Sequence, residues 1–356
     1  MKRNQSIDFF RAVAILYILL YHFYVYCGYP YADIRLLNRV ICIGGEIGVT
    51  LFFLISGYGI YYSLANTEKR EGGISYPTFA RKRFLRIAPQ YYAAIGVLLL
   101  FTENAGYLSG DGFFQIIAHI LFIHNWFPAT FDKFSGVWWT LGSIVQFYAA
   151  AVFLYRAVKR HSAFYFAAVL FSIAMKIILY HYVPESLRAE KNYYFIYGRQ
   201  VFTALDNFVL GMVLAKWMIQ EKKFTAMQQI SFLAPAAAGL VFLVILTENH
   251  SPYTDSLMGY VWHSALALCL AVMIFAVSVK RTEYFGKIAQ GMKFIAKYQY
   301  GIYIWHQLIA VNLMQNSSMF HFLARENFIL YTLFTGCICI AVGYITSKCF
   351  VVPSHG

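Results

Sequence analysis

Runs of roughly 20 mostly apolar residues, the length a helix needs to cross a bilayer, recur along this chain. Ten are legible, at about 7–27, 46–64, 87–103, 137–155, 164–182, 194–218, 229–247, 259–279, 297–314 and 328–350, the third being short. Composition agrees. Of 356 residues, 60% are hydrophobic and 13% charged, against about 25% charged in a soluble domain. Such a chain cannot cover a soluble surface with charge, and it is too apolar to be disordered. Six Cys do not make a disulfide scaffold. The 29 Tyr and 33 Phe suit the aromatic belts of a polytopic membrane protein. The expected fold is therefore all-α, a bundle of about ten transmembrane helices. A single transmembrane domain is expected over 1–352, with a short tail at 353–356. No cleavable signal, internal repeat or soluble second domain is evident, and the first segment reads as a retained span.

Charge sets the orientation. Phe113 to Trp126 is apolar but only about 14 residues long, which fits a re-entrant or interfacial helix. If it does not cross and the N-terminus is inside, Arg35, Arg39, Lys133, Arg188, Lys191 and Arg325 lie outside, and Arg11, Lys176 and Arg199 lie within spans. The other 20 of the 29 Lys and Arg are then cytoplasmic. A crossing at 113–126 would export every later basic loop, so the even-numbered topology is favoured, with both termini cytoplasmic. On a membrane protein this basic excess reports topology rather than nucleic-acid binding. Cys27 and Cys42 fall near the outer ends of the first two spans, where either a disulfide or two buried thiols would fit. No Cys pair has zinc-like spacing with His, so no metal is expected.

Ionisable side chains in a bilayer cost several kcal/mol unless they face the bundle interior. The first span carries Asp8, Arg11 and His22. At 100° per residue Arg11 falls about 20° and Asp8 about 40° from His22, a single stripe, with His22 roughly 16 Å along the axis from Arg11. The stripe suggests a channel lined by Arg at its inner mouth and His further out. The alternative is an interfacial Asp8–Arg11 pair with His22 snorkelling to outer headgroups. Arg81, Lys82, Arg83 and Arg86 form a basic cluster before Pro89. Arg83 and Arg86, three apart, would share one side of a helix and grip phosphates; an anchor on anionic lipid is the competing reading. Arg199 and Asp206 sit seven apart on the sixth span and read as a buried ion pair, and Lys176 as a lone snorkelling Lys. His306, next to Trp305, reads by default as an interfacial belt residue. Ser56, in Ile55-Ser56-Gly57-Tyr58, lacks the surround of a hydrolase elbow, so small-residue helix packing is its default role.

Taken together, these segments resemble the acyltransferase-3 family of integral membrane acyltransferases. Ser6-Ile7-Asp8-Phe9-Phe10-Arg11, with His22 eleven residues after Arg11, is similar to the family's opening. Gly48-Val49-Thr50-Leu51-Phe52-Phe53-Leu54-Ile55-Ser56-Gly57-Tyr58 resembles its second-span signature, and Arg83-Phe84-Leu85-Arg86 its Arg-x-x-Arg motif. Trp139-Thr140-Leu141 with Gln146-Phe147-Tyr148, Arg199 with Leu210-Gly211-Met212, and Tyr300-Gly301-Ile302-Tyr303-Ile304-Trp305-His306 resemble later motifs. The resemblance implies a ten-helix bundle and transfer of an acyl group, commonly acetyl from acetyl-CoA, to a hydroxyl on a glycan or other acceptor. It implies that His22 is the catalytic His and that Arg11, Arg83 and Arg86 are essential cations. One departure stands out: many members carry a Glu pair before Gln-Phe-Tyr, where this chain has Ile144 and Val145. No esterase-like domain follows the bundle in this sequence, so transfer to the final acceptor is expected in the bundle or on a separate protein.

These readings combine into one expected mechanism. Arg83 and Arg86, helped by Arg81 and Lys82, seat the phosphates of cytoplasmic acetyl-CoA. The pantetheine arm runs past Arg11 toward His22. An unperturbed His, with a pKa of about 6.5, accepts the acceptor's proton. A covalent acyl-His or acyl-Ser intermediate is the alternative route. The expected acceptor is a cell-surface polysaccharide or its lipid-linked precursor, at the plasma membrane. Two rivals remain: a transporter or flippase, against which the lack of repeated halves argues, and a non-catalytic membrane protein of the same fold.

Overall fold

The computed structural model describes residues 5–101, 111–189, 192–220, 225–247, 251–278 and 286–350. The 353–356 tail, positions 102–103 and 279 of two expected spans, and Lys2, Arg3, Lys191, Lys222, Lys223, Lys280 and Arg281 lie outside them. Sixteen α-helices follow one another among the described residues. They are α1 (Gln5–Tyr26), α2 (Arg35–Cys42), α3 (Gly44–Glu71), α4 (Tyr76–Phe101), α5 (Asp111–Ile120), α6 (Pro128–Phe131), α7 (Trp139–Arg160), α8 (Phe164–Ile177), α9 (Glu185–Arg188), α10 (Tyr193–Gly198), α11 (Leu205–Ile219), α12 (Ala226–Leu246), α13 (Leu257–Ser278), α14 (Gly286–Asn316), α15 (Ser318–Glu326) and α16 (Phe328–Phe350). Seven helical segments among the described residues are long and apolar enough to cross a membrane: Gln5–Tyr26, Arg35–Glu71, Trp139–Arg160, Phe164–Tyr182, Met227–Leu246, Leu257–Ser278 and Phe328–Phe350. The protein is an all-α polytopic membrane protein.

The chain divides into two compact units. One comprises 52–84 and 99–281, the other 4–51, 85–98 and 282–356. In the first, α3 and α11 cross so closely that a Cβ on Gly57 would strike the Phe208 carbonyl, and one on Gly211 the Leu54 carbonyl. Small residues allow such backbone approach where hydrophobicity cannot drive helices together. Beside the crossing, Phe147 stacks on Phe208 with ring centroids 4.5 Å apart, and both rings are fully buried. In the second unit, α14 packs along α1 and α16, and Gly301 meets the backbone of Gly343.

Three local outcomes bear on the sequence readings. The 113–126 stretch ends its helix at Ile120. Ten residues rise about 15 Å, half the hydrocarbon thickness, and Phe122, at φ 56°, turns the chain away. The basic cluster lies inside continuous α4, so Arg83 and Arg86 do share a helix. The expected sixth span is not continuous: α10 ends at Gly198 and α11 starts at Leu205. Thr203 Oγ1 donates to the Tyr197 carbonyl at 2.9 Å, and Gln200 Nε2 to the Ile196 carbonyl at 3.0 Å. Side chains thus take over the carbonyls that the next helical turn would have used. Unwound backbone survives at membrane depth only where protein satisfies it in this way.

Candidate active site

In the second unit, α1 presents His22 to α14. Its Nδ1 lies 3.0 Å from His306 Nε2, and the His306 Nδ1 lies 2.6 Å from the Tyr303 carbonyl one turn earlier. His306 is wholly buried and His22 half-buried. Tyr26, one turn after His22, stacks on its ring at 5.9 Å and 15°. The Cys339 thiol of α16 faces the His306 carbonyl at 3.9 Å. Two readings are thereby corrected. His22 does not reach for headgroups, because its ring is bonded inward to another helix. His306 is not a belt residue, because it and Trp305 (8% exposed) are buried.

Lower on α1, Arg11 lies 3.7 Å from Asp8, an i,i+3 pair with Asp8 buried. The paired arrangement weighed for these two residues is the one found, with the Arg11 side chain 19% exposed. On α4, Arg81, Lys82 and Arg86 are exposed. Arg83 is half-buried, its guanidinium 5.4 Å from the Phe79 ring and 5.9 Å from the Tyr148 ring. An Arg propped on two rings keeps its fork in one orientation, as recognition of a phosphate requires.

In the first unit, the unwound 199–204 segment holds Arg199 in an aromatic cage. Its guanidinium lies 5.1 Å from the Trp139 ring, 4.8 Å from Phe195 and 5.1 Å from Tyr253, and its Nε donates to the Tyr253 hydroxyl. Arg199 and Asp206 do not share one continuous helix face as expected, because the helix breaks between them. Asp206 is instead buried, its backbone N–H donating to Ser172 Oγ at 3.2 Å. Lys176 does not snorkel. It is 1% exposed and donates to the Tyr260 carbonyl at 3.2 Å. Ser56 is half-buried beside the Gly57 crossing, where helix packing accounts for it. Cys27 and Cys42 are free thiols, Cys42 donating to Asn38 Oδ1 at 3.4 Å.

Sequence reasoning missed a buried polar web around Asn125. Asn125 Nδ2 donates to Ser143 and to Gln200 Oε1, at 3.2 and 3.0 Å. Gln146 Nε2 donates to the Phe122 carbonyl and to Asn125 Oδ1, both at 2.9 Å, and its Oε1 accepts from Trp126. The web ties the short 111–126 segment to α7 and to the unwound segment. Ile144 and Val145 are half-buried just before Gln146. The same segment holds His119 and His124, stacked at 4.2 Å and 10°. Burial pushes His119 down to about 4, against the pull of the Gln115 carbonyl, and His124 down to about 3, helped by its neighbour. Gln146 lay in a motif the sequence singled out, whereas Asn125, His119 and His124 lay in the 113–126 stretch, read there for its length alone.

Among the described residues, no group of three or more His, Cys, Asp or Glu is placed to hold a metal ion. The comparisons with known proteins bear on the whole chain. Two Staphylococcus aureus proteins named O-acetyltransferase OatA, from strains NCTC 8325 / PS 47 and COL, are each 25% identical over 336 residues, covering 86% of this chain and 50% of theirs. The chain thus spans about half the length of the curated relatives it matches. No solved structure matches it. The family model described as an acyltransferase domain matches residues 4–348, so the chain belongs to the acyltransferase-3 family.

Proposed function

We propose that this protein is a membrane O-acetyltransferase that moves acetyl from cytoplasmic acetyl-CoA to a hydroxyl of a cell-surface polysaccharide or its lipid-linked precursor. It acts as a single domain in the plasma membrane, with about ten spans and both termini cytoplasmic. The observation that carries the reading is the inward-bonded imidazole of His22, on a helix that also carries Arg11 and in a chain of this family. Arg83 and Arg86, with Arg81 and Lys82 beside them on α4, bind the donor's phosphates. The pantetheine arm lies along α1 past Arg11.

His22 takes the proton of the acceptor hydroxyl while its oxygen bonds the thioester carbonyl carbon. The C–S bond breaks, and the departing CoA sulfur recovers a proton from the imidazolium. Such a base contributes typically 10²–10⁴-fold. Mass spectrometry of surface glycans, from cells with and without the gene, tests donor group and acceptor together. Acetyl esters should vanish without the gene, and reappear with the wild type but not with His22→Ala. Unchanged glycan acetylation would overturn the acceptor assignment. Equilibrium dialysis with labelled acetyl-CoA tests the cluster. Arg83→Ala and Arg86→Ala should weaken binding, and unchanged affinity would return the cluster to anchoring on lipid.

A further inference from the structure

We infer that His306 is a positioning residue for the transfer: through the Tyr303 carbonyl it selects the ring tautomer of His22 and directs the His22 Nε2 lone pair to the reacting hydroxyl. The inference rests on the reading of His22 as the base. A carbonyl oxygen can only accept, so the His306 nitrogen 2.6 Å from Tyr303 O must carry its proton. In a neutral imidazole the other nitrogen, Nε2, then has the lone pair. That nitrogen lies 3.0 Å from His22 Nδ1, which must therefore be the donor. With its proton on Nδ1, His22 carries its own lone pair on Nε2. One backbone carbonyl thus fixes both rings in series.

The arrangement also survives catalysis. When His22 takes the hydroxyl's proton on Nε2, its Nδ1–H still points at the His306 lone pair, so no bond breaks as charge develops. A third group that orients a base's ring in this way is a recurring device. His306 is wholly buried, and its Nε2 faces His22 as the acceptor. The other titratable groups around the two rings are Tyr21 and Tyr26 on α1, Tyr303 on α14 and Cys339 on α16. None of them is permanently charged near neutral pH.

The test uses the full chain in nanodiscs, with labelled acetyl-CoA as donor and a total surface-glycan extract as acceptor. His306→Leu removes the acceptor and should lower kcat about 10- to 100-fold. The KM for acetyl-CoA should stay unchanged, and the acid limb of the kcat/KM profile should move to lower pH, because imidazolium at His22 loses its partner. His306→Gln returns an acceptor oxygen near the Nε2 position and should restore kcat to within about tenfold of the wild type. Should the Leu variant fail to fold, the Gln variant decides alone. Wild-type kcat and pH profile in His306→Leu would overturn the inference. So would a His306→Gln variant that is dead despite wild-type donor affinity. Activity in His22→Ala would instead sink the reading of His22 itself, which keeps the two failures apart.

Discussion

Two histidine pairs sit among the described residues, and their contrast separates packing from chemistry. His119 and His124 lie face to face at 4.2 Å, and each ring is tied to a backbone carbonyl, Gln115 and Trp138 respectively. Both are wholly buried. His22 and His306 meet through their nitrogens at 3.0 Å with planes 36° apart, and the His306 ring is tied to the Tyr303 carbonyl. The first pair is a pair of stacked plates, each tied to the backbone by one ring nitrogen. The second is a chain of donor and acceptor that ends on a half-buried ring. Proximity of imidazoles is common to both; a transmitted tautomer belongs to the second alone.

The largest expected effect sets the pairs furthest apart. His22→Ala should lower acetyl transfer by roughly 10²–10⁴-fold and leave thermal stability nearly unchanged. His124→Ala should do the reverse. It removes a wholly buried ring and strands the Trp138 carbonyl, a cost of about 3 kcal/mol read as a lower midpoint in a thermal-shift assay. An inactive but fully stable His124→Ala would break the comparison.

Acid sharpens it next. Folding holds His119 down to about 4 and His124 down to about 3. The unfolded chain therefore binds more protons below about pH 6.5, and the stability these rings contribute is full above that pH. It is lost as pH falls toward 4, by on the order of 1 kcal/mol per pH unit per histidine. Replacing both with Phe should flatten the acid side of the stability curve. An unchanged curve would show that other groups govern acid unfolding. The smallest effect belongs to Tyr26, whose ring flanks His22 without joining the nitrogen chain in this account. Tyr26→Phe keeps the stack and should change kcat by less than about tenfold, the equivalent of 1.4 kcal/mol. A larger loss would make the hydroxyl part of the transfer.

The contrast also marks how far the sequence reached. The Asp8–Arg11–His22 stripe was legible because it needs only helical periodicity within one element. So was the short 113–126 segment, because its length and the basic loops that follow it both need only the sequence. His306 was visible as a residue but not as the partner of His22. The bond joins positions 284 apart, and nothing in local spacing says that α14 packs on α1 in that register. The break at 199–204 was hidden for a related reason. Thr203 and Gln200 end the helix by turning back on its carbonyls, while the apolar run around them reads as one span. Arg199 and Asp206 therefore shared a face in the sequence and different surroundings in the fold.

The most direct measurement is a single-turnover transfer of labelled acetyl from acetyl-CoA to the glycan extract, comparing the wild type with His22→Ala at matched donor occupancy. Label should move to glycan in the wild type and stay on CoA in the variant. Equal transfer in both would contradict the account at its centre.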